Sequence, residues 1–187
     1  MLEVDVSKLN KRLLAESWYV ALGDYIVGLA WSPDASKLAA ATVEGAVFLI
    51  DNHGDSAQFK LTGQHAGGAN SLSWRCDGAE FATAGHDGLA KIWDGGSGQE
   101  LGSLAAGDSW VSKTVYSPRR NVLATAAGRH LKLWNERREA FYESSDHSST
   151  IADVGWNPKG FGIAAAANKG ITLHLSDETP QPRKYSW

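Results

Sequence analysis

Residues 65–94 read HAGGANSLSWRCDGAEFATAGHDGLAKIWD, and their patterning is that of a small antiparallel sheet. Leu72 and Trp74 form an alternating apolar pair that ends on an aromatic and on the turn Asp77-Gly78. A period of two places both side chains on one face of a strand. A second run, Phe81 to Ala84, is rich in small side chains, and Asp87-Gly88 then supplies the chemistry a two-residue hairpin needs. Beyond it Ala90-Lys91-Ile92-Trp93-Asp94 reads as a third strand. The more polar Gln99 to Leu104 reads as a fourth, an outer edge facing water.

The same unit recurs along the chain. An aromatic followed by a turn occurs at Trp31-Ser32-Pro33-Asp34, Trp74-Arg75-Cys76-Asp77-Gly78, Tyr116-Ser117-Pro118-Arg119 and Trp156-Asn157-Pro158-Lys159-Gly160, at intervals of 43, 42 and 40 residues. Small-residue second runs follow at Leu38 to Thr42, Val122 to Ala127 and Phe161 to Ala167, with turns at Glu44-Gly45, Gly128-Arg129 and Lys169-Gly170. Third strands are predicted at Val47 to Asp51, Leu131 to Asn135 and Thr172 to Ser176, and a last outer strand near Arg183 to Trp187. Alanine is a poor strand former in isolation, but small side chains suit strands stacked closely on neighbouring sheets. Four strands at a period near 40 residues predict an all-β propeller of four blades, each of four antiparallel strands.

Composition narrows the function classes. The 187 residues are 43% hydrophobic and 21% charged, with 20 Gly and 5 Pro, the balance of a soluble folded chain. A formal net charge of -3 argues against a dedicated phosphate-binding surface, so no nucleic-acid partner is expected. Cys76 is the single cysteine, which leaves no intrachain disulfide or Cys-based zinc site and suits a reducing, cytoplasmic setting. Met1 to Val6 lacks the features of a signal peptide, and no run of about 18 apolar residues suggests a membrane span. The six histidines show no pair at helical metal-ligand spacing, and Gly95-Gly96-Ser97-Gly98 lacks the Lys-Ser or Lys-Thr of a phosphate loop. No cofactor or metal is expected.

With His65, Trp74, Asp87-Gly88 and Lys91-Ile92-Trp93-Asp94 in place, the chain resembles the WD-repeat family over residues 12 to 187. The family's Gly-His dipeptide has become Gln64-His65. Its histidine recurs as His147, whereas Leu22 and Gly107 fill that slot in blades one and three, and blades one and four are degenerate. The expected organisation is an N-terminal extension over 1–11, an outer strand over 12–20, and blades at about 21–62, 63–104, 105–145 and 146–187. His65, Thr83 and Asp87 could suggest a hydrolase triad. The resemblance implies instead that His65, Thr83, Asp87 and Trp93 form a structural hydrogen-bonded chain, because these positions do so in the family, and no catalytic residue is assigned.

The resemblance also implies a non-catalytic interaction scaffold that binds a protein or peptide on the face made by the strand-two to strand-three turns and the approaches to strand one. Alignment places Val43, His86, Gly128 and Asn168 on the turns. It places Gly23, Tyr25, Ala66, Gly68, Asp108, Trp110, Ser148 and Thr150 at the approaches, with Tyr25 and Trp110 the prominent aromatics. An enzyme or small-ligand propeller would instead predict convergent acids or histidines on the inner strands, where Ala, Leu and Val stand. Residues 12–20 and 183–187 make one outer strand too many for a closed four-bladed ring. The blades are therefore expected to belong to a larger ring, or to one completed by another chain or copy.

Overall fold

The computed structural model describes residues 17–144, 147–175 and 183–185, and no helix occurs among them. Four four-stranded antiparallel sheets follow one another along the chain. Blade 1 comprises β1 (Ile26–Trp31), β2 (Lys37–Thr42), β3 (Ala46–Asn52) and β4 (Ala57–Gln64). Blade 2 comprises β5 (Ala69–Trp74), β6 (Glu80–Gly85), β7 (Leu89–Asp94) and β8 (Glu100–Ala105). Blade 3 is β9 (Val111–Tyr116), β10 (Leu123–Ala127), β11 (His130–Trp134) and β12 (Ala140–Ser144), and blade 4 is β13 (Asp153–Trp156), β14 (Gly162–Ala167), β15 (Gly170–Leu175) and β16 (Arg183–Tyr185). Each strand predicted within the four blades is present to within a few residues. Ser186 and Trp187 of the predicted last strand lie outside the described residues.

Register sorts the side chains into two unlike faces. In blade 2, Trp74 pairs with Phe81 and Phe81 with Trp93, so these rings line one face, whereas Ser73, Ala82 and Ile92 line the other. The bulky face packs on Ala30, Ala39, Val47 and Leu49 of blade 1. The small-residue face, with Ala82, Ala84, Ala90 and Ile92, receives Tyr116, Leu123 and Trp134 of blade 3. Blade 3 then offers Ala124, Ala126 and Leu133 to Val154, Ile163 and Ala165 of blade 4. Large side chains of one blade thus fill the shallow surface left by alanines of the one before, giving close-packed junctions.

Indole donors tie the junctions together. Trp74 Nε1 donates to the Ala30 carbonyl at 2.8 Å between blades 1 and 2, and Trp156 Nε1 donates to the Val115 carbonyl at 3.0 Å at the equivalent position between blades 3 and 4. Tyr116 has no indole; its hydroxyl instead hydrogen-bonds Glu80 at 3.3 Å. At blade 1 the corresponding face, made of Leu29, Trp31, Leu38, Ala40, Phe48 and Ile50, points away from blade 2. Packing joins only consecutive blades; blades 4 and 1 make no comparable contact among the described residues.

The expected outer strand over 12–20 is only partly within the described residues. Residues 12–16 lie outside them, and 17–20 form no strand. Trp18 and Leu22 pack over Leu38, Ala40, Phe48 and Ile50, and Trp18 Nε1 donates to Asn52 Oδ1 at 3.2 Å.

The tightness of the junctions is testable at Gly63. A methyl group there would sit 2.5 Å from the buried Trp93 ring. Gly63→Ala is expected to lower the urea unfolding free energy by about 1–3 kcal/mol, the range for overpacking a filled core.

Candidate functional site

The strand-two to strand-three turns and the approaches to the next blade meet at one end of the sheets. Backbone bonds join them: His65 N–H donates to Gly45 O at 2.9 Å, Ala106 to Gly88 at 3.2 Å and Ile151 to Gly128 at 2.8 Å. Beneath that end in blade 2 lies the chain predicted from His65, Thr83, Asp87 and Trp93. An indole N–H only donates, so Trp93 Nε1 gives its hydrogen to Thr83 Oγ1 at 2.8 Å. The Thr83 hydroxyl hydrogen is then free for His65 Nε2, 2.7 Å away. That leaves Nδ1–H of His65 to donate to the Asp87 carboxylate at 3.0 Å. Asp87 also accepts from the Ala66 and Leu89 amides, so it latches the turn to the loop.

The electrostatics agree with a neutral imidazole. Burial pushes His65 below its ordinary pKa and outweighs the pull of Asp87. Burial opposes ionisation of Asp87, yet the His65 bond and charge, with the Leu89 and Ala66 amides, hold its carboxyl below the usual range. Thr83 and His65 are fully buried and their polar atoms are committed to each other. The apparent triad is therefore a strand-to-turn brace, with no hydroxyl presented to a substrate.

Other blades brace the same junction differently. Blade 3 keeps Trp134 Nε1 to Thr125 Oγ1 at 2.9 Å but has Gly107 in the histidine slot. In blade 1, Asp24 accepts from the Glu44 amide at 2.9 Å, and that bond, ahead of weaker opposing burial, lowers its pKa. Blade 4 has His174 at the Trp93 position, with Nδ1 bonded to the Tyr142 hydroxyl at 2.7 Å and His147 beside it, ring centroids 5.4 Å apart. Burial, then the neighbouring His147, pushes His174 down to about 4.

On top of this frame sits the accessible cluster. Trp110 is 62% exposed, and its ring stacks on His86 with centroids 4.1 Å apart and planes 9° from parallel. Asn70 Nδ2 donates to Val111 O at 2.9 Å, so its Oδ1 accepts the His86 Nε2–H at 2.9 Å and fixes the ring. A cavity of about 530 Å³ opens beside the stack, lined by Asn70, Asp108, Ser109, Trp110, Ser112, Gly128 and Thr150. Blades 2, 3 and 4 all contribute.

Of the residues predicted for partner contact, His86, Asp108, Trp110, Gly128 and Thr150 are brought together here. Tyr25 and Val43 are exposed in blade 1, where Val43 N–H donates to Tyr25 O at 2.9 Å, and do not line the cavity. Asn168 is exposed in blade 4, held by its amide to Ser149 Oγ at 2.8 Å, and stands outside it as well. Sequence reasoning missed Asn70 and Ser112. Their signal was register: Asn70 follows His65 by as many residues as Ser112 follows Gly107. The glycine-rich stretch after Trp93 is a turn, with Ser97 N–H donating to Asp94 Oδ1 at 2.7 Å. No group of three metal-ligating side chains occurs among the described residues, and no helix among them is long and apolar enough to cross a membrane.

Comparison with known proteins agrees with this geometry. Residues 57–94 match the WD domain, G-beta repeat family. The chain is 34% identical over 121 residues to Cross-pathway control WD-repeat protein 2 of Flammulina velutipes, a match covering 63% of this chain and 38% of that one. It is 25% identical over 134 residues to WD repeat-containing protein slp1 of Schizosaccharomyces pombe, covering 70% and 27%. The solved RRP9 WD40 repeats superpose with a TM-score of 0.77 at 15% identity, over 89% of this chain and 52% of that one; this shows the fold alone. The chain thus spans less than two fifths of those two relatives and about half of that structure.

The buried histidines make stability pH-dependent. The folded-state pKa of His174 lies below its unfolded value of 6.5, so the unfolded chain takes up the proton first. Stability is fully present above pH 6.5 and is lost as pH falls toward 4, with His65 adding in the same direction. Urea midpoints should fall by an amount equivalent to about 1–2 kcal/mol between pH 7.5 and 5. His174→Phe should make that dependence shallower.

Proposed function

We propose that this chain, a four-blade member of the WD-repeat β-propeller family, is a non-catalytic scaffold that grips a protein or peptide partner at the Trp110 cluster. The observation that carries this is an exposed tryptophan, stacked on a braced histidine, at the mouth of a cavity to which three blades contribute. A large aromatic left in water costs hydrophobic free energy unless something covers it. Aromatic side chains held rigid beside a pocket also contribute much contact area at low entropic cost. WD-repeat proteins generally serve as interaction scaffolds, and the burial of Thr83 and His65 removes the one arrangement suggestive of hydrolysis. A cytoplasmic setting suits the single cysteine.

Trp110→Ala tests this part. Because the ring is mostly solvent-exposed, unfolding free energy should change by less than about 1.5 kcal/mol, the upper value for an aromatic stack. Capture of a defined set of host proteins, compared by mass spectrometry with the unaltered chain, should be lost. Unchanged capture, or gross loss of folding, would argue for a packing role.

The face of blade 1 that points away from blade 2 supports a second part, completion of the ring by a further blade. Leu29 is 60% and Trp31 49% exposed at positions equivalent to Leu72 and Trp74, which are covered in blade 2. The Trp31 indole N–H has no acceptor among the described residues, whereas its counterparts at Trp74 and Trp156 bond a preceding blade. The fitting occupant is a blade with an alanine and glycine face, such as Gly155, Ala164 and Ala166 on the far side of blade 4 in a second copy. Sedimentation should show concentration-dependent association that the double change Leu29→Lys, Trp31→Lys abolishes while cooperative unfolding persists. A cooperative monomer at every concentration would sink the idea.

A further inference from the structure

We infer that the cavity beside Trp110 is a receptor for an arginine side chain of the partner; this rests on the assignment of that cluster as the contact face. One face of the Trp110 indole is covered by His86, and the ring remains 62% exposed, so its other face is open. The π-face of an indole is negative and attracts a cation, and a planar guanidinium stacks on it well. Among the residues lining the cavity, Asp108 carries the one formal charge, a carboxylate, and no Lys or Arg is present. Asp108 is exposed and makes no ion pair among the described residues. Of the cations close by in sequence, Lys113 on the inner strand that follows Asp108 is paired with Asp153 at 3.2 Å, and Arg129, next to the lining Gly128, donates to the His147 carbonyl at 2.6 Å.

The remaining lining groups are neutral hydrogen-bonding side chains: Asn70, Ser109, Ser112 and Thr150. Asn70 is already committed, to His86 and to Val111 O, and Ser112 Oγ donates to Ala126 O at 3.1 Å. Ser109 and Thr150 are left to receive guanidinium N–H groups. The chemistry is an aromatic platform, one carboxylate suited to a bidentate fork, and hydroxyl acceptors on the rim. Arginine satisfies all three with one side chain, and its methylene stem lies along the indole edge. An acidic or phosphorylated segment would meet Asp108 with like charge, so that class is disfavoured. At about 530 Å³ the cavity has room for one such side chain and its flanking backbone.

Selection of bead-displayed heptapeptides on the full chain, counted against the Trp110→Ala chain, tests this. Trp110-dependent binders should be enriched in arginine. Replacing that arginine by citrulline in the best binder, which removes the charge at nearly constant shape, should weaken binding about tenfold or more, and Asp108→Asn should do the same. Trp110-dependent peptides anchored by acidic, phosphorylated or purely apolar residues would overturn the arginine assignment and leave the contact face standing. Absence of any Trp110-dependent peptide would overturn both.

Discussion

The junctions of blade 2 with blades 1 and 3 rest on the same asymmetry: a face of bulky side chains pressed on a face whose second strand is built of alanines. Trp74, Phe81 and Trp93 lie on Ala30, Ala39 and Val47, and Tyr116, Leu123 and Trp134 lie on Ala82, Ala84 and Ala90. This explains a composition that strand propensity alone would disfavour. Second strands such as Lys37–Thr42 and Leu123–Ala127 carry alanine because any larger side chain would hold the next sheet away. The asymmetry also gives the stack a direction. A bulky face can follow a small one but not another bulky one, so all turns of one kind gather at one end.

That gathering creates the need for a polar brace, since turns and loops brought to one end bury backbone and side-chain polar groups that must find partners. Blade 2 meets the need with a directional chain from Trp93 through Thr83 and His65 to Asp87. Blade 1 uses Asp24 on the Glu44 amide, blade 3 only Trp134 on Thr125, and blade 4 His174 on Tyr142 of the neighbouring blade. The requirement is a satisfied donor and acceptor at the junction rather than a fixed motif. Blade 4 meets it least fully: the buried His174 Nε2 has no partner among the described residues, and its environment penalises a proton.

The fold was legible because its signal is local and repeated: alternation, turn dipeptides and a period near 40 residues lie within short windows. The brace in blade 2 was legible through the family resemblance, which implies it at His65, Thr83, Asp87 and Trp93. What stayed hidden depends on which distant segments meet. Trp18 lies across Phe48 and Ile50, a contact that no spacing encodes. Asp24, two residues past the Leu22 slot, takes over the turn latch by side-chain reach. Tyr25 and Trp110 look alike in alignment, but only Trp110 has a histidine from the preceding blade beneath it. Asn70 and Ser112 became visible as cavity walls only once the inner strands stood side by side.

The division of labour between frame and face follows from this packing. Residues between blades answer to their neighbours' volume, and the loss of one methylene or hydroxyl there is felt in stability. Residues above the junctions answer to nothing in the chain: Asp108 and Thr150 are exposed, and Trp110 touches the frame through one side of its ring. Their identities are free to serve a partner. Yet their geometry is inherited, since Trp110 is aimed by His86, His86 is fixed by Asn70, and Asn70 is held by the Val111 carbonyl across the junction of blades 2 and 3. Under the proposed contact role, specificity at this face is a property of side chains that the fold does not need, set in positions that only the fold can supply.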